Sequence, residues 1–461
     1  MTRARRILCA AVLLAAPAGA TLGPRYGGEL TLATAAVPAA AGPAFATSPL
    51  DRTVGMLTHE TLVRVPRDGT VEPALARAWA SAADGREWTL TLAPDLRFHD
   101  GSAVTAADVV RSLRRFLRSP SPAAARWAEA LVGGREFRAG TSQDLAGLTA
   151  PDGTHVVLRQ VAAVPAPLAP LAAAAAAVTG ASGAGAGPFV PGARSPRRLE
   201  LGAFAGHVRG RPYLDRVSLV AVPDEDASAE LDAGRVHVAL SGGSQSPPAA
   251  TVLLLLDPAR AAFPDRAARA AAVASIDARQ LVDHLVPGGE VPDALLPPDL
   301  LTALPPAPAP PTGRMLSGRA TLVVGRDVPA AISQRVVACF ADRGLAVDVR
   351  PTDPLLARDA PADARLLWWA PEVAETSLAL RELVALARQE GAGALLAAAD
   401  GERDPDRRRA LYHRVESDLR DAGLVTALAR VPLPVRARPD VHGLRVDAGS
   451  ALRLEDAWRA P

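Results

Sequence analysis

The chain has 461 residues, 49% of them hydrophobic but only 4% aromatic, so it is long enough for two or three domains, each with its own core. All of its basic side chains are Arg, and they nearly match the acidic ones, 51 against 49. That balance argues against nucleic acid as a partner, because it supplies no basic field for a phosphate backbone.

The first twenty residues read as a secretory signal peptide. Arg3, Arg5 and Arg6 precede an apolar run over 7–16, and Ala18-Gly19-Ala20 offers the small residues that a signal peptidase needs. About ten apolar residues reach only half of the ~20 that a membrane-crossing helix requires. Cys9 lies inside this run, which leaves Cys339 as the only Cys of the mature chain and excludes an internal disulfide there. The expected location is the periplasm, reached by secretion.

Residues 29–34 alternate with Leu30 and Leu32 on one face, and residues 87–93 do the same with Trp88, Leu90 and Leu92, so both predict half-buried strands. Thr105 and Asp108 form a capping box that opens a helix through Val109, Leu113, Phe116 and Leu117. On that helix Arg111, Arg114 and Arg115 are expected to face solvent. Further strands are expected at 156–158, 217–222, 321–324, 347–349 and 366–369, and helices near 226–232, 266–285, 330–341, 377–389 and 405–420. A mixed α/β architecture follows. Residues 179–192 (Gly-rich), 241–250 (Ser- and Pro-rich) and 305–311 (almost all Pro and Ala) read as loops or linkers.

A series of landmarks then runs in a recognisable order. Gly69-Thr70-Val71-Glu72-Pro73-Ala74-Leu75-Ala76-Arg77-Ala78-Trp79 is followed by Leu96-Arg97-Phe98-His99-Asp100-Gly101 and Thr105-Ala106-Ala107-Asp108-Val109. Later come Gly187-Pro188-Phe189, Gly210-Arg211-Pro212-Tyr213-Leu214-Asp215 and the 263–279 segment with Ile276-Asp277-Ala278-Arg279. This order resembles the family 5 extracellular solute-binding proteins, the group that contains dipeptide, oligopeptide and nickel receptors, over nearly the whole mature chain. The resemblance implies a two-lobed α/β periplasmic binding protein of type II, with an extra subdomain inserted in the first lobe. The expected division is residues 21–55 with 183–250 and 429–461 for lobe 1, 56–182 for the inserted subdomain, and 251–428 for lobe 2. It also implies a substrate-binding component of an ABC importer, closing on a short peptide or similar small solute and docking on an inner-membrane permease, as a monomer and without a cofactor.

The same resemblance points to ligand-binding residues. Peptide receptors of the family carry a Trp followed by an Asp that takes the ligand's amino terminus; Trp368-Trp369-Ala370-Pro371-Glu372 has Glu in that place. Trp368, Trp369, Glu372 and Glu375 are therefore the candidates in the second lobe, with Phe45 in the first. A plainer reading makes Glu372 and Glu375 exposed carboxylates ahead of a helix that starts at Thr376 or Ser377. Adjacent Trp residues on a strand cannot share a face, so one is expected in core and the other in the cleft. His99 reads as a turn residue, because no partner His or Cys stands at metal-ligand spacing. No G-x-S-x-G, H-E-x-x-H or phosphate-loop pattern occurs, so catalysis is not expected. The shortened stretches at 241–250 and 305–311 leave a second reading open, a binding-protein scaffold that acts as an envelope interaction or sensor partner without transport.

Overall fold

The computed structural model describes residues 23–38, 48–240, 248–302, 314–447 and 449–461. The expected signal segment, Phe45, most of the Ser/Pro-rich stretch and the Pro run lie outside the described residues. The helices are α1 (Pro49–Thr58), α2 (Ala106–Leu117), α3 (Pro122–Ala130), α4 (Gly134–Ala139), α5 (Asp224–Asp232) and α6 (Arg266–Ala274). They continue with α7 (Ala278–Leu285), α8 (Ala330–Ala341), α9 (Pro354–Asp359), α10 (Thr376–Ala387), α11 (Gly393–Gly401) and α12 (Pro405–Asp421).

Three sheets organise them. The first has six strands in the order Arg436–Ala437, Val238–Ala239, Glu29–Thr34, Arg216–Ala221, Arg198–Ala203, Phe189–Ser195. Glu29–Thr34 runs parallel to Arg216–Ala221, with Leu30 opposite Val217 and Leu32 opposite Leu219. Their period-2 alternation puts these four residues on one face, where they form a core with Phe189, Leu199 and Leu201. This sheet thus takes strands from the beginning, middle and end of the chain.

The second sheet is an antiparallel set, Ala76–Ser81, Glu87–Leu92, His155–Arg159, Leu148–Thr149. It packs Leu90, Leu92, Val156 and Leu158 against Phe116 of α2 and Trp127 of α3. The capping box of α2 is formed in both directions: Thr105 Oγ1 accepts from Asp108 N at 3.3 Å, and Asp108 Oδ2 accepts from Thr105 N at 3.0 Å. The expectation for the Arg residues of α2 needs correction. Arg111 is exposed, but Arg114 and Arg115 are half-buried, and Arg115 donates to Thr179 Oγ1 (2.9 Å) and Ala177 O (3.3 Å).

The third sheet is mixed, in the order Ala346–Thr352, Arg319–Gly325, Ala364–Trp369, Pro248–Leu256, Val425–Pro432. The first three strands are parallel and the last two antiparallel to their neighbours. Pro248–Leu256 begins inside the stretch expected to be loop. It is a central strand: Val252, Leu254 and Leu256 enter one core and Leu253 and Leu255 another, so both faces are covered and its sequence shows no polar alternation. The helix expected over 266–285 is two helices. Asp277 caps the second, accepting from Gln280 N at 3.0 Å, and this local bond competes with helix continuation.

Candidate functional site

A cavity of about 610 Å³ opens where the first sheet's α1 and C-terminal segment meet the residues leading into the second sheet and the loop that leaves the third. Arg52 and Met56 come from α1, Thr61 and Arg64 to Arg67 from the chain after it, Glu372 to Ala374 from the loop, and Val441, Asp447, Arg453 and Glu455 among others from the C-terminal segment. The wall is therefore assembled from parts of the chain remote in sequence.

The loop is shaped by its carboxylates. Glu375 is the N-cap of α10, its side chain accepting from Leu378 N at 2.7 Å. Glu372 reaches the start of α3 instead: its Oε2 accepts from Ser121 Oγ (2.6 Å) and from Ala123 N (3.2 Å). A helix N-terminus has backbone donors without intrahelical partners, so a carboxylate there completes them. Both groups are half-buried, and burial pushes both above the usual carboxylate range, against the lowering effect of these hydrogen bonds. The reading of two exposed carboxylates is thus corrected in exposure, while the helix start at Thr376 stands.

Two charged side chains, Arg52 and Asp447, and the backbone carbonyl of Glu372 come together at Gly449. A Cβ there would lie 3.3 Å from Arg52 Nη1, 3.4 Å from Asp447 Oδ1 and 3.5 Å from the Glu372 carbonyl oxygen. Arg52 has a buried Nε with no hydrogen-bond partner among the described residues. Its charge lowers Glu372 and Asp447, but burial outweighs it and both carboxyls stay raised. Asp447 Oδ1 accepts from Ala451 N at 2.8 Å, and its nearest guanidinium, Arg453, is 3.9 Å away. The cavity wall thus carries a guanidinium, Arg52, and the carboxyls of Asp447 and Glu372, the latter tied by one oxygen to the start of α3.

Next to it the charges are fully matched. Glu60 has no exposed surface and accepts from Arg64 Nε (3.3 Å) and Thr61 N (3.0 Å), with His207 Nε2 3.0 Å from its other oxygen. Burial by itself would raise Glu60, yet the Arg64 charge and the His207 and Arg64 hydrogen bonds together hold it well below the usual carboxylate range. Arg64 bridges on to Glu455 at 2.8 Å, and Arg453 meets Glu455 at 2.9 Å.

Of the candidates read from the sequence, Glu372 lines the cavity and Glu375 supports the loop beneath it. Trp369 has no exposed surface and packs in the core with Leu253 and Leu380; Trp368, half-buried, packs on the other face of the sheet with the core that holds Val252. Neither indole is among the side chains lining the cavity. Phe45 lies outside the described residues. His99 stands in its turn with Nε2 2.9 Å from Gly187 O, and among the described residues no group of three or more His, Cys, Asp or Glu could hold a metal. Arg52 and Asp447 were not singled out in the sequence. The capping box Ser48-x-x-Asp51 at the start of α1 is the one local signal close to Arg52.

The family described as "Bacterial extracellular solute-binding proteins, family 5 Middle" matches residues 70–331. The chain is 36% identical over 61 residues to the "Nickel-binding periplasmic protein" of Escherichia coli (strain K12), 13% of this chain and 12% of that protein. It is 36% identical over 94 residues to the "Probable D,D-dipeptide-binding periplasmic protein DdpA" of the same organism, 19% of this chain and 18% of that protein. These alignments cover less than a fifth of either curated relative. In structure, the likeness extends to the murein tripeptide binding protein MppA of Escherichia coli, with a TM-score of 0.81, 18% identity, and coverage of 95% of this chain and 99% of that one. OppA of Burkholderia pseudomallei gives a TM-score of 0.80 at 17% identity, covering 95% and 100%. The architecture is thus a periplasmic binding-protein fold. The chain belongs to the bacterial extracellular solute-binding proteins of family 5.

Proposed function

We propose that this chain is the periplasmic substrate-binding component of an ABC importer that takes a short peptide or a similar small zwitterion. It works as a secreted monomer that delivers its ligand to an inner-membrane permease. The observation that carries this reading is the placing of Arg52, Glu372 and Asp447 on the wall of one cavity of about 610 Å³. That volume falls within the ~300–1,000 Å³ typical of small-molecule sites. Glu372 and Asp447 take the ligand's ammonium and Arg52 its carboxylate, because a buried charge requires a charged, hydrogen-bonded partner. Trp369 anchors the loop from the core, and Glu375 fixes where α10 begins. The printed names of two relatives, a tripeptide binder and a D,D-dipeptide binder, point the same way.

The proposal includes the two-lobed type II arrangement. Strand membership supports the division into lobe 1 (21–55, 183–250, 429–461), inserted subdomain (56–182) and lobe 2 (251–428) in its main lines, while the strands Pro248–Leu256 and Val425–Pro432 lie wholly in the third sheet and move the two lobe crossings to about 247 and 433. The lobes close by hinge motion over the cavity. Because a ligand that binds only the native state stabilises it, a pool of free di- and tripeptides at about 100 times Kd should add about 2.7 kcal/mol to stability. The same pool after N-acetylation should lose most of the effect. No thermal shift with either pool overturns the assignment.

A further inference from the structure

We propose that the groove along the outer face of α2 is a second binding site, for a phosphate-bearing anion with two or more negative charges. Arg111, Arg114, Arg115 and Arg118 stand at i, i+3, i+4 and i+7, which places all four on one side of the helix. With Phe137 of α4 and Gln143 they line an open groove of about 620 Å³ that shares no residue with the cavity beside Gly449.

The guanidinium groups are held in place, and almost entirely by neutral atoms. Arg114 donates to Gln143 O (2.6 Å) and Arg118 to Gln143 Oε1 (2.8 Å), and both lie over the Phe137 ring, 4.6 and 4.2 Å from its centre. Arg115 donates to Thr179 Oγ1, and Arg111 to Thr179 O at 3.3 Å. Among the described residues Asp108, 2.5 Å from Arg111, is the single carboxylate in ion-pair contact with any of the four. An Arg has five N–H donors, and these bonds employ one nitrogen of each side chain, so most of the donors stay free.

Support of the helix does not account for the arrangement. The C-terminal carbonyls are already served by Arg138, which donates to Leu117 O (2.6 Å) and Ser119 O (2.8 Å). Arg114, Arg115 and Arg118 at the end of α2 favour the helix dipole, but like charges at i, i+3 and i, i+4 repel one another, so dipole complementarity alone does not call for four of them on one side. What matches four fixed forks side by side is a ligand with several charged oxygens, since a guanidinium pairs with phosphate through two parallel bonds and a lone carboxylate engages only one fork. A soluble diphosphate and a phospholipid headgroup share this chemistry.

The test uses the full mature chain, wild type and Arg114→Gln/Arg118→Gln, titrated with sodium pyrophosphate in a calorimeter. The same proteins are sedimented with vesicles of mixed phosphatidylglycerol and phosphatidylcholine, and with phosphatidylcholine alone. The expected result is pyrophosphate binding that the double substitution weakens by about tenfold or more and that falls as salt rises. Binding confined to the anionic vesicles, and lost in the variant, supports the same site with a lipid headgroup as its ligand. Absence of both, or binding that the variant leaves unchanged, overturns the proposal. Exposed Arg118→Gln alone carries the test if the double variant does not fold. The peptide-pool thermal shift is expected to be the same in wild type and variant, so failure here and failure of the importer reading are separate outcomes.

Discussion

At the junction between the first and second sheets, Glu60 meets Arg64 and His207, and Arg64 continues to Glu455, so each charge has a direct partner. A few residues away, around Gly449, Arg52 has an unpartnered Nε, and Asp447 is 3.9 Å from its nearest guanidinium. Both groups are built from Arg and carboxylates, the first buried and the second half-buried. The matched set pulls its carboxylate below the usual range, whereas the unmatched set lets burial push its carboxylates above it. The first arrangement holds bodies of the protein together; the second keeps interaction capacity in reserve for a ligand.

The largest stability effect is expected at Glu60. Glu60→Ala leaves Arg64 buried with one carboxylate, Glu455, in place of two and His207 Nε2 without its buried partner, and is expected to cost about 3–5 kcal/mol, read from urea unfolding. A loss below about 1 kcal/mol would put the matched set in the same class as a surface pair.

Acid sharpens the contrast. Burial pushes His59, beside this network, down from 6.5 to about 4. In that window the unfolded chain binds the proton first, so stability falls as pH drops from 6.5 to 4. The Glu60 contribution is complete above its unfolded value of 4.5 and is lost as pH falls through its lower folded value. Glu372 and Asp447 act in the opposite sense: their folded values are raised, so protonation relieves them and they contribute stability as pH falls through those values. Thermal melts from pH 7 to 4 should show a declining midpoint in wild type and a flatter profile in His59→Gln.

Ser121→Ala removes the cap of α3, which donates to Glu372 and accepts from Ala124 N at 3.1 Å. About 1 kcal/mol of stability is expected to be lost, with Glu372 freed to move. The smallest stability effect is expected at Glu372 itself. Glu372→Gln keeps an acceptor for Ser121 and removes a charge that burial disfavours, so its melting point at pH 7 should not fall below wild type. Its affinity for the free peptide pool should drop by about tenfold or more. A large loss of stability in this variant would move Glu372 into the matched class.

Much of the first two sheets was legible because each strand there covers one face only. Leu30 with Leu32, and Leu90 with Leu92, alternate with polar neighbours and signal both strand and orientation. The capping box at Thr105 and Asp108 was equally local. Residues 248–256 gave no such signal, since a strand buried on both faces loses the alternation that marks one. The adjacent Trp368 and Trp369 behave as a strand requires, on opposite faces, but which neighbours would cover each indole depended on helices distant in sequence.

The site divides in the same way. Glu372 and Glu375 could be read from their place after a Trp pair and before a helix, because capping and chain order are local properties. Their burial, the attachment of Glu372 to Ser121 and the placing of Arg52 and Asp447 on the same cavity wall come from packing separate stretches of chain. The sequence by itself determined the family, the helix starts and the half-buried strands, since these depend on neighbours within a few residues. Only the tertiary structure decided which charges are matched and which are left open, because the desolvation and Coulomb terms that set them act between groups the chain brings together last.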